Sequence, residues 1–371
     1  MTSKLVEAEK IKSYFENLDG SVTFGIDGYI DEVWQIVDSR KNNEEYTLFA
    51  SMKDFAKSLY DCGDGGYAHE IIRKRRTYGG FCANTGLAVG KLGASLTLLG
   101  LFGEDGVDSA FAPLEKYCRL VSFGNPNITQ AFEFGDGKIL LSHIEEMMRF
   151  NWQTLKDHIT CDILQEAFTK ADLIALGYWS LVPGFDEILS GICKEFTKDS
   201  RCKRFFFDFA DIRKRDARAL CNVLALIGDL NKQMPMTLSL NENEANILYN
   251  QFGCFFKKTP ENADAWAEAE TEKVRQKIGL DELVVHTPFF AVGASTLEGT
   301  AFVSQQHCPN PIITTGAGDN FNGGYVAAST KSGELTMCER LVIGNAAASF
   351  YVRNGYSPDK TELLTEISGT L

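Results

Sequence analysis

Short apolar runs recur along this chain, and longer segments of helical periodicity separate them. Val22–Ile26, Leu96–Leu101, Leu173–Leu176, Arg204–Phe209, Thr237–Leu240 and Leu283–Thr287 have no polar face when extended. Helical patterns lie between several of them, at Asp162–Lys170, Phe185–Phe196, Ala217–Leu230 and Ala263–Ile278. A strand without a polar face must be covered on both sides. The alternation therefore predicts α/β architecture, a mostly parallel central sheet between two layers of helices. In such sheets ligands bind beyond the carboxyl ends of the strands. The chain has 371 residues, enough for one large α/β domain spanning 1–371 with an added lobe.

Two regions break the rhythm. Tyr29–Asp38 alternates imperfectly and reads as a strand leaving the core. In Gln130–His143, Gly135-Asp136-Gly137 sits between two apolar runs, a hairpin signal. Segments of about 29–48 and 128–146 are thus expected to pair into a small β-sheet lid over a site. The stretch between Ser39 and Arg76 is charged and reads as mostly helical, with a Gly-rich break at Gly63–Gly66. A helical insert over about 49–75 is expected there.

Composition narrows the partners. The formal net charge of -13 argues against nucleic acid, whose phosphates demand Lys and Arg. A phosphorylated ligand in a locally electropositive pocket remains compatible with it. The ten cysteines form no C-x-x-C pair, which fits reduced thiols and a cytoplasmic protein better than a zinc site. Met1–Gly20 reads as an amphipathic helix (Leu5, Ile11, Tyr14, Phe15, Leu18) and lacks the apolar run of a signal peptide. No stretch reaches the roughly 18 apolar residues of a membrane span.

Four motifs carry chemistry. The strongest is Thr314-Thr315-Gly316-Ala317-Gly318-Asp319, which opens a helix with an apolar face. Its glycines let backbone N–H groups converge at a helix N-terminus, an anion hole suited to a transferring phosphoryl group. A carboxylate there would repel an anion. It makes sense as a base that takes a proton from an attacking hydroxyl, and the alternative is a helix cap. Gly79-Gly80 opens another helix, with Asn84 one turn in, able to donate to and accept from a hydroxyl, or else to cap locally. Asp27 and Asp31 follow the first strand and suit vicinal hydroxyls, or are simple loop acids. Asn241 and Glu244 follow Thr237–Leu240, placed to hold magnesium through water; their spacing is also close to that of a capping box.

Taken in order, these pieces resemble the ribokinase-like (PfkB) carbohydrate kinase family. Thr315–Asp319 is similar to its C-terminal signature. Gly79-Gly80 with Asn84 and Leu92-Gly93 is similar to its N-terminal one. Gly100, Gly103 and Asp105 loosely follow the next segment, and Phe207–Arg213 resembles a strand-end D-x-N-x-R, with Asp211 in place of the Asn. Asn241-x-x-Glu244 is similar to the N-x-x-E motif, and Asn345–Ala348 to the late helix beside the nucleotide base.

The resemblance implies a three-layer α/β/α sandwich with a small β-sheet lid, ATP as donor, Mg2+, and a sugar or related polyol as acceptor. Asp319 would be the base, with Gly316, Ala317 and Gly318 forming the anion hole. Asp27, Asp31, Gly79, Gly80 and Asn84 would bind the acceptor, while Asn241, Glu244, Thr287 and Asn345 would serve the nucleotide and its metal. It leaves a monovalent-cation requirement open and allows a homodimer through the lid. The chain departs from the family at Thr287-Pro288-Phe289, where T-x-G is usual. A second departure is Tyr29, where an Asn often stands, and the third is the long Ser39–Arg76 stretch. Two other functions remain in view. A nucleoside kinase would stack a base on Tyr29, Trp34 or Tyr178-Trp179, and a non-catalytic ligand sensor would use the same fold.

Overall fold

The computed structural model describes residues 7–196, 200–256 and 263–370. Its strands are β1 (Ser21–Gly25), β2 (Tyr29–Arg40), β3 (Tyr46–Leu48), β4 (Ile71–Gly79), β5 (Ser95–Gly100), β6 (Arg119–Ser122) and β7 (Asn127–Phe134). They continue with β8 (Gly137–His143), β9 (Leu173–Leu176), β10 (Arg204–Asp208), β11 (Met236–Asn241), β12 (Glu282–His286), β13 (Phe290–Ser295) and β14 (Gly299–Ser304). Among the described residues they form a nine-stranded sheet, β14-β13-β12-β11-β10-β9-β1-β5-β6, and a separate five-stranded sheet. The large sheet is parallel from β12 to β6, and only the β12-β13-β14 edge is antiparallel.

The apolar runs behave as their composition demands. All four residues of β9 are buried. Successive side chains of a strand point to opposite faces, and the core divides accordingly. Ile174, Leu176, Phe205, Phe207, Leu283 and Val285 enter one cluster. Leu173, Ala175, Phe206 and Val284 enter the other. The helices Cys161–Lys170, Phe185–Phe196 and Ala217–Leu230 contribute Leu164, Ile188 and Val223 to the first layer. Phe81–Lys91, Ala317–Ser329 and Met337–Asn354 contribute Val89, Phe321 and Ile343 to the second. The N-terminal helix is described over Ala8–Glu16 and buries Ile11, Tyr14 and Phe15; Leu5 lies outside the described residues. Among the described residues no helix is long and apolar enough to cross a membrane.

In the second sheet, β2 pairs with β3, β4 and β7, and β7 turns back into β8 as the expected hairpin. The Ser39–Arg76 stretch differs from its reading. It is helical over Met52–Asp61, but Ile71–Gly79 is β4, so the insert expected over about 49–75 is part strand. β4 pairs antiparallel with β2 from Tyr29–Gly79 to Ile36–Ile71, and opposite charges face each other across the pair. Glu32 on β2 meets Arg73 and Arg76 of β4, and Arg76 also holds Asp108.

Candidate active site

The carboxyl ends of β10, β11 and β12 bring Asp208, Asn241 and His286 to one side of the sheet. They line a cavity of about 620 Å³ together with Glu244, Thr287 and Asp319. The Gly316-Ala317-Gly318 turn forms another part of its wall. Gly316 adopts φ 91°, a left-handed conformation that admits Gly most readily, and starts the helix Ala317–Ser329. A side chain there would also run into the Tyr351 hydroxyl, with a Cβ 2.8 Å from it. The Ala317 N–H donates to the Thr314 carbonyl at 3.2 Å, so it is already engaged in a turn. Gly318 and Asp319 stand in the first helical turn, where backbone N–H groups have no carbonyl one turn back.

Asp319 is buried between three donors. Asn84 Nδ2 donates to Oδ2 at 3.3 Å. Thr85 Oγ1 and Tyr178 Oη each donate to Oδ1 at 3.1 Å. Asn84 and Thr85 lie on Phe81–Lys91, and this helix comes close to Asp319 because Gly323 leaves no side chain against Ala88. Burial, then the Asp208 carboxylate, push Asp319 up to about 7; the Thr85 and Tyr178 hydroxyls pull the other way, and Asp27 adds to the rise. Asp208 is itself pushed up to about 6 by burial, against the pull of the Ala210 N–H and the Asn322 amide.

The acceptor-side residues separate into two groups. Asp31 is partly buried beside Gly79, and burial pushes it up to about 6 against the charges of Lys138 and Arg75 and the Thr129 hydroxyl. Asp27 has a different place from the one its sequence position suggests. It is fully buried, and its two oxygens accept from the backbone N–H groups of Phe81 (2.7 Å) and Cys82 (2.8 Å). It holds the start of the Phe81–Lys91 helix, because a helix leaves its first N–H groups unpaired. Gly80, at φ 89°, carries the chain over Asp27, and a Cβ there would collide with Oδ2.

On the nucleotide side, Asn241 and Glu244 form a full capping box. The Asn241 side chain accepts from the N–H of Asn243 and Glu244, and Glu244 accepts from the Asn241 N–H at 2.9 Å and side-chain amide at 2.6 Å. Burial and then Asp208 drive Glu244 well above the usual carboxylate range. The Thr287 hydroxyl accepts from the N–H groups of Phe289 and Phe290, both at 3.0 Å, and so closes its own turn at the cavity wall. Asn345 does not line the Asp319 cavity. It faces an adjoining groove, and Gln305 belongs to both. Its neighbour on the helix, Ala348, lines the Asp319 cavity instead.

Sequence reading passed over Asp208 and Thr85 as site residues and weighed Tyr178 only as an aromatic that could stack a base. For Asp208 a signal existed, an acid on the last residue of a buried strand; alignment on Arg213 drew attention to Asp211, which pairs with Arg213 at 2.7 Å. Thr85 carries no local signal, and nothing near Tyr178 in the chain points its hydroxyl at Asp319. His286, stacked on Phe321, is lowered to about 4 by burial and stays neutral.

The family model for prokaryotic ketohexokinases matches residues 4–369. A ketohexokinase of Haloferax volcanii is 29% identical over 364 residues, covering 96% of this chain and 93% of the relative. Ribokinase of Arabidopsis thaliana, solved with ribose and ATP, shares the fold with TM-score 0.62 at 18% identity, covering 94% of this chain and 98% of that one. Phosphofructokinase-2 of Escherichia coli, solved with substrates and products, has TM-score 0.58 at 13% identity, covering 94% and 99%. The chain belongs to the prokaryotic ketohexokinase family and, with it, to the ribokinase-like (PfkB) carbohydrate kinases.

Proposed function

We propose that the protein transfers the γ-phosphoryl group of ATP to a hydroxyl of a ketohexose, with Asp319 as the general base. The observation that carries this is the Asp319 carboxylate at a helix N-terminus, buried and pushed up to about 7. A base works best when its pKa lies near the working pH. Asp319 would take the hydroxyl proton as the alcohol oxygen attacks the γ-phosphorus. The bond to the β-phosphate oxygen breaks, and its electron pair leaves with ADP. The N–H groups of Gly318 and Asp319 face the charge that develops on the phosphoryl oxygens. Lys138 of β8 donates to Thr315 Oγ1 at 3.0 Å, so the second sheet already reaches the glycine turn and is suited to cover the site. Asp31, Gly79, Gly80 and Asn84 would hold the sugar. Asp27 keeps that helix in place.

Magnesium fits at Asn241 and Glu244. Glu244 is buried and disfavoured as an anion by Asp208, a repulsion that a divalent cation relieves. Both Glu244 oxygens face Asn241, so the two residues would reach the ion through water. Magnesium bound with ATP neutralises phosphate charge. Asn345 stays a candidate for the base of the nucleotide from the adjoining groove. Of the aromatics that the nucleoside reading would use, Trp179 is packed on Phe209 under Arg215 and the Tyr178 hydroxyl is engaged with Asp319, whereas Tyr29 Oη and Trp34 Nε1 have no hydrogen-bond partner among the described residues.

The test is coupled ADP release with ketohexoses, aldohexoses, ribose and nucleosides. The expected outcome is turnover on a ketohexose that depends on Asp319. Turnover on nucleosides alone would overturn the acceptor.

A further inference from the structure

The two oxygens of Asp319 have unequal surroundings. Oδ1 accepts two hydroxyl hydrogen bonds at 3.1 Å, from Thr85 on the Phe81–Lys91 helix and from Tyr178 just beyond β9. Oδ2 accepts one long amide bond of 3.3 Å from Asn84. A carboxylate oxygen with two donors has its lone pairs committed, and the other oxygen keeps the capacity to take a proton. Tyr178 is partly buried, and its hydroxyl is raised well above its ordinary range, first by burial and then by Asp319, so it remains a donor. Its ring packs on Phe81 with centroids 5.6 Å apart, which limits its movement. Thr85 is fully buried.

We infer that Tyr178 and Thr85 are positioning residues that anchor Oδ1 of Asp319 and leave Oδ2, beside Asn84, to take the proton of the acceptor hydroxyl. This rests on Asp319 as the base. In the step, the acceptor O–H bond breaks, its proton passes to Oδ2, the oxygen bonds to the γ-phosphorus of ATP, and ADP leaves with the electron pair of the broken P–O bond. Asn84, expected from sequence to bind the sugar, touches the receiving oxygen and on this reading would hold the acceptor as well. Binding the acceptor and orienting the base thus share one helix, so a shift of Phe81–Lys91 disturbs both.

Donors to the ionised form favour it, so their removal makes Asp319 protonate at higher pH. The other groups facing Asp319 are Asp208 from β10, Asp27 from the loop after β1 and Tyr351 from Met337–Asn354. None is removed by the variants below. Tyr178→Phe keeps the ring and deletes one donor; Thr85→Val deletes the other at equal volume, and Thr85→Ser keeps a hydroxyl. The measurements are kcat, KM for ATP and for the ketohexose, and the pH profile of kcat/KM. Tyr178→Phe and Thr85→Val should each lower kcat about tenfold, the size of a hydrogen bond to a charged group, and move the acid limb to higher pH. KM for ATP should hold, and Thr85→Ser should keep the wild-type limb. An unmoved acid limb in both variants, or a change confined to KM, overturns the inference. Thr85→Val reads the same oxygen from the helix, so the test stands even if Tyr178→Phe fails to fold. Asp319→Asn is measured alongside. Full turnover in that variant would sink the base assignment itself, whereas its loss with an unmoved limb in the others sinks only the anchoring of Oδ1.

Discussion

Asp319 and Glu282 are both buried acids, one beyond the carboxyl ends of the central strands and one at the amino end of β12, and their surroundings drive them in opposite directions. Glu282 meets Arg204 and Arg340, each at 2.8 Å, and accepts from Thr237 and Tyr325, each at 3.0 Å. Burial would raise it, but Arg340 and then Arg204 hold it below the ordinary range. Among the described residues Asp319 meets neutral donors and the acids Asp208 and Asp27, and it rises to about 7. Burial alone therefore does not set the charge of an acid; the partner does. The amino end spends its charges on a closed structural network. At the carboxyl end Asp319 has hydrogen-bond donors but no ion pair, the environment in which a carboxyl group keeps a raised pKa.

The same acid-to-amide change at the two ends should break this symmetry. Asp319→Asn should lower kcat by about 10²–10⁴, with ATP affinity by calorimetry near normal. Glu282→Gln should destabilise by about 1–3 kcal/mol in a denaturant titration, because Arg204 and Arg340 lose their shared buried anion and keep only Asp281 and Glu298. Turnover per folded molecule should be unchanged. A stable Glu282→Gln protein would refute the contrast.

Smaller effects sharpen it. Gly80→Ala forces a side chain onto Asp27 at φ 89° and should cost about 1–3 kcal/mol, with a raised KM for the sugar. Asp319→Asn should also change the pH dependence of stability. Folding raises the Asp319 pKa from 3.8 to about 7, so the folded wild type binds the extra proton and loses stability as pH rises between those values. The melting temperature of Asp319→Asn relative to wild type should therefore climb from about pH 4 to pH 7 and then level off. Glu282 has the opposite sign. Its contribution is present at neutral pH and is lost as pH falls through its lowered folded value. Last, Asp208→Asn removes a neighbour that raises Asp319, so the acid limb of kcat/KM should move to lower pH, opposite to Tyr178→Phe.

Much of this was legible in the residues. The both-face burial of β9 to β12 follows from their apolar runs, and Gly135–Gly137 announced the β7–β8 hairpin. Gly316–Asp319 announced a helix start with an acid in its first turn. Asn241 and Glu244 announced a capping box, which is local in sequence. The charged run ending in β4 misled because its partner, Glu32, is distant in sequence, and cross-strand pairing outweighs local helical pattern.

The sequence by itself determined the layers, the turn at Gly316 and the presence of an acid at a helix start, because each depends on neighbours within a few residues. Only the tertiary structure decided what the acids do. Asp27 and Asp31 look alike in the chain, yet one is spent on the N–H groups of Phe81 and Cys82 while the other sits near the charges of Lys138 and Arg75. Asp319 owes its raised pKa first to burial and then to Asp208, and its two unequal oxygens to Thr85 and Tyr178; three separate elements bring these residues to it. Electrostatic and hydrogen-bond environments are set by distance in space, and no local pattern along the chain encodes those distances.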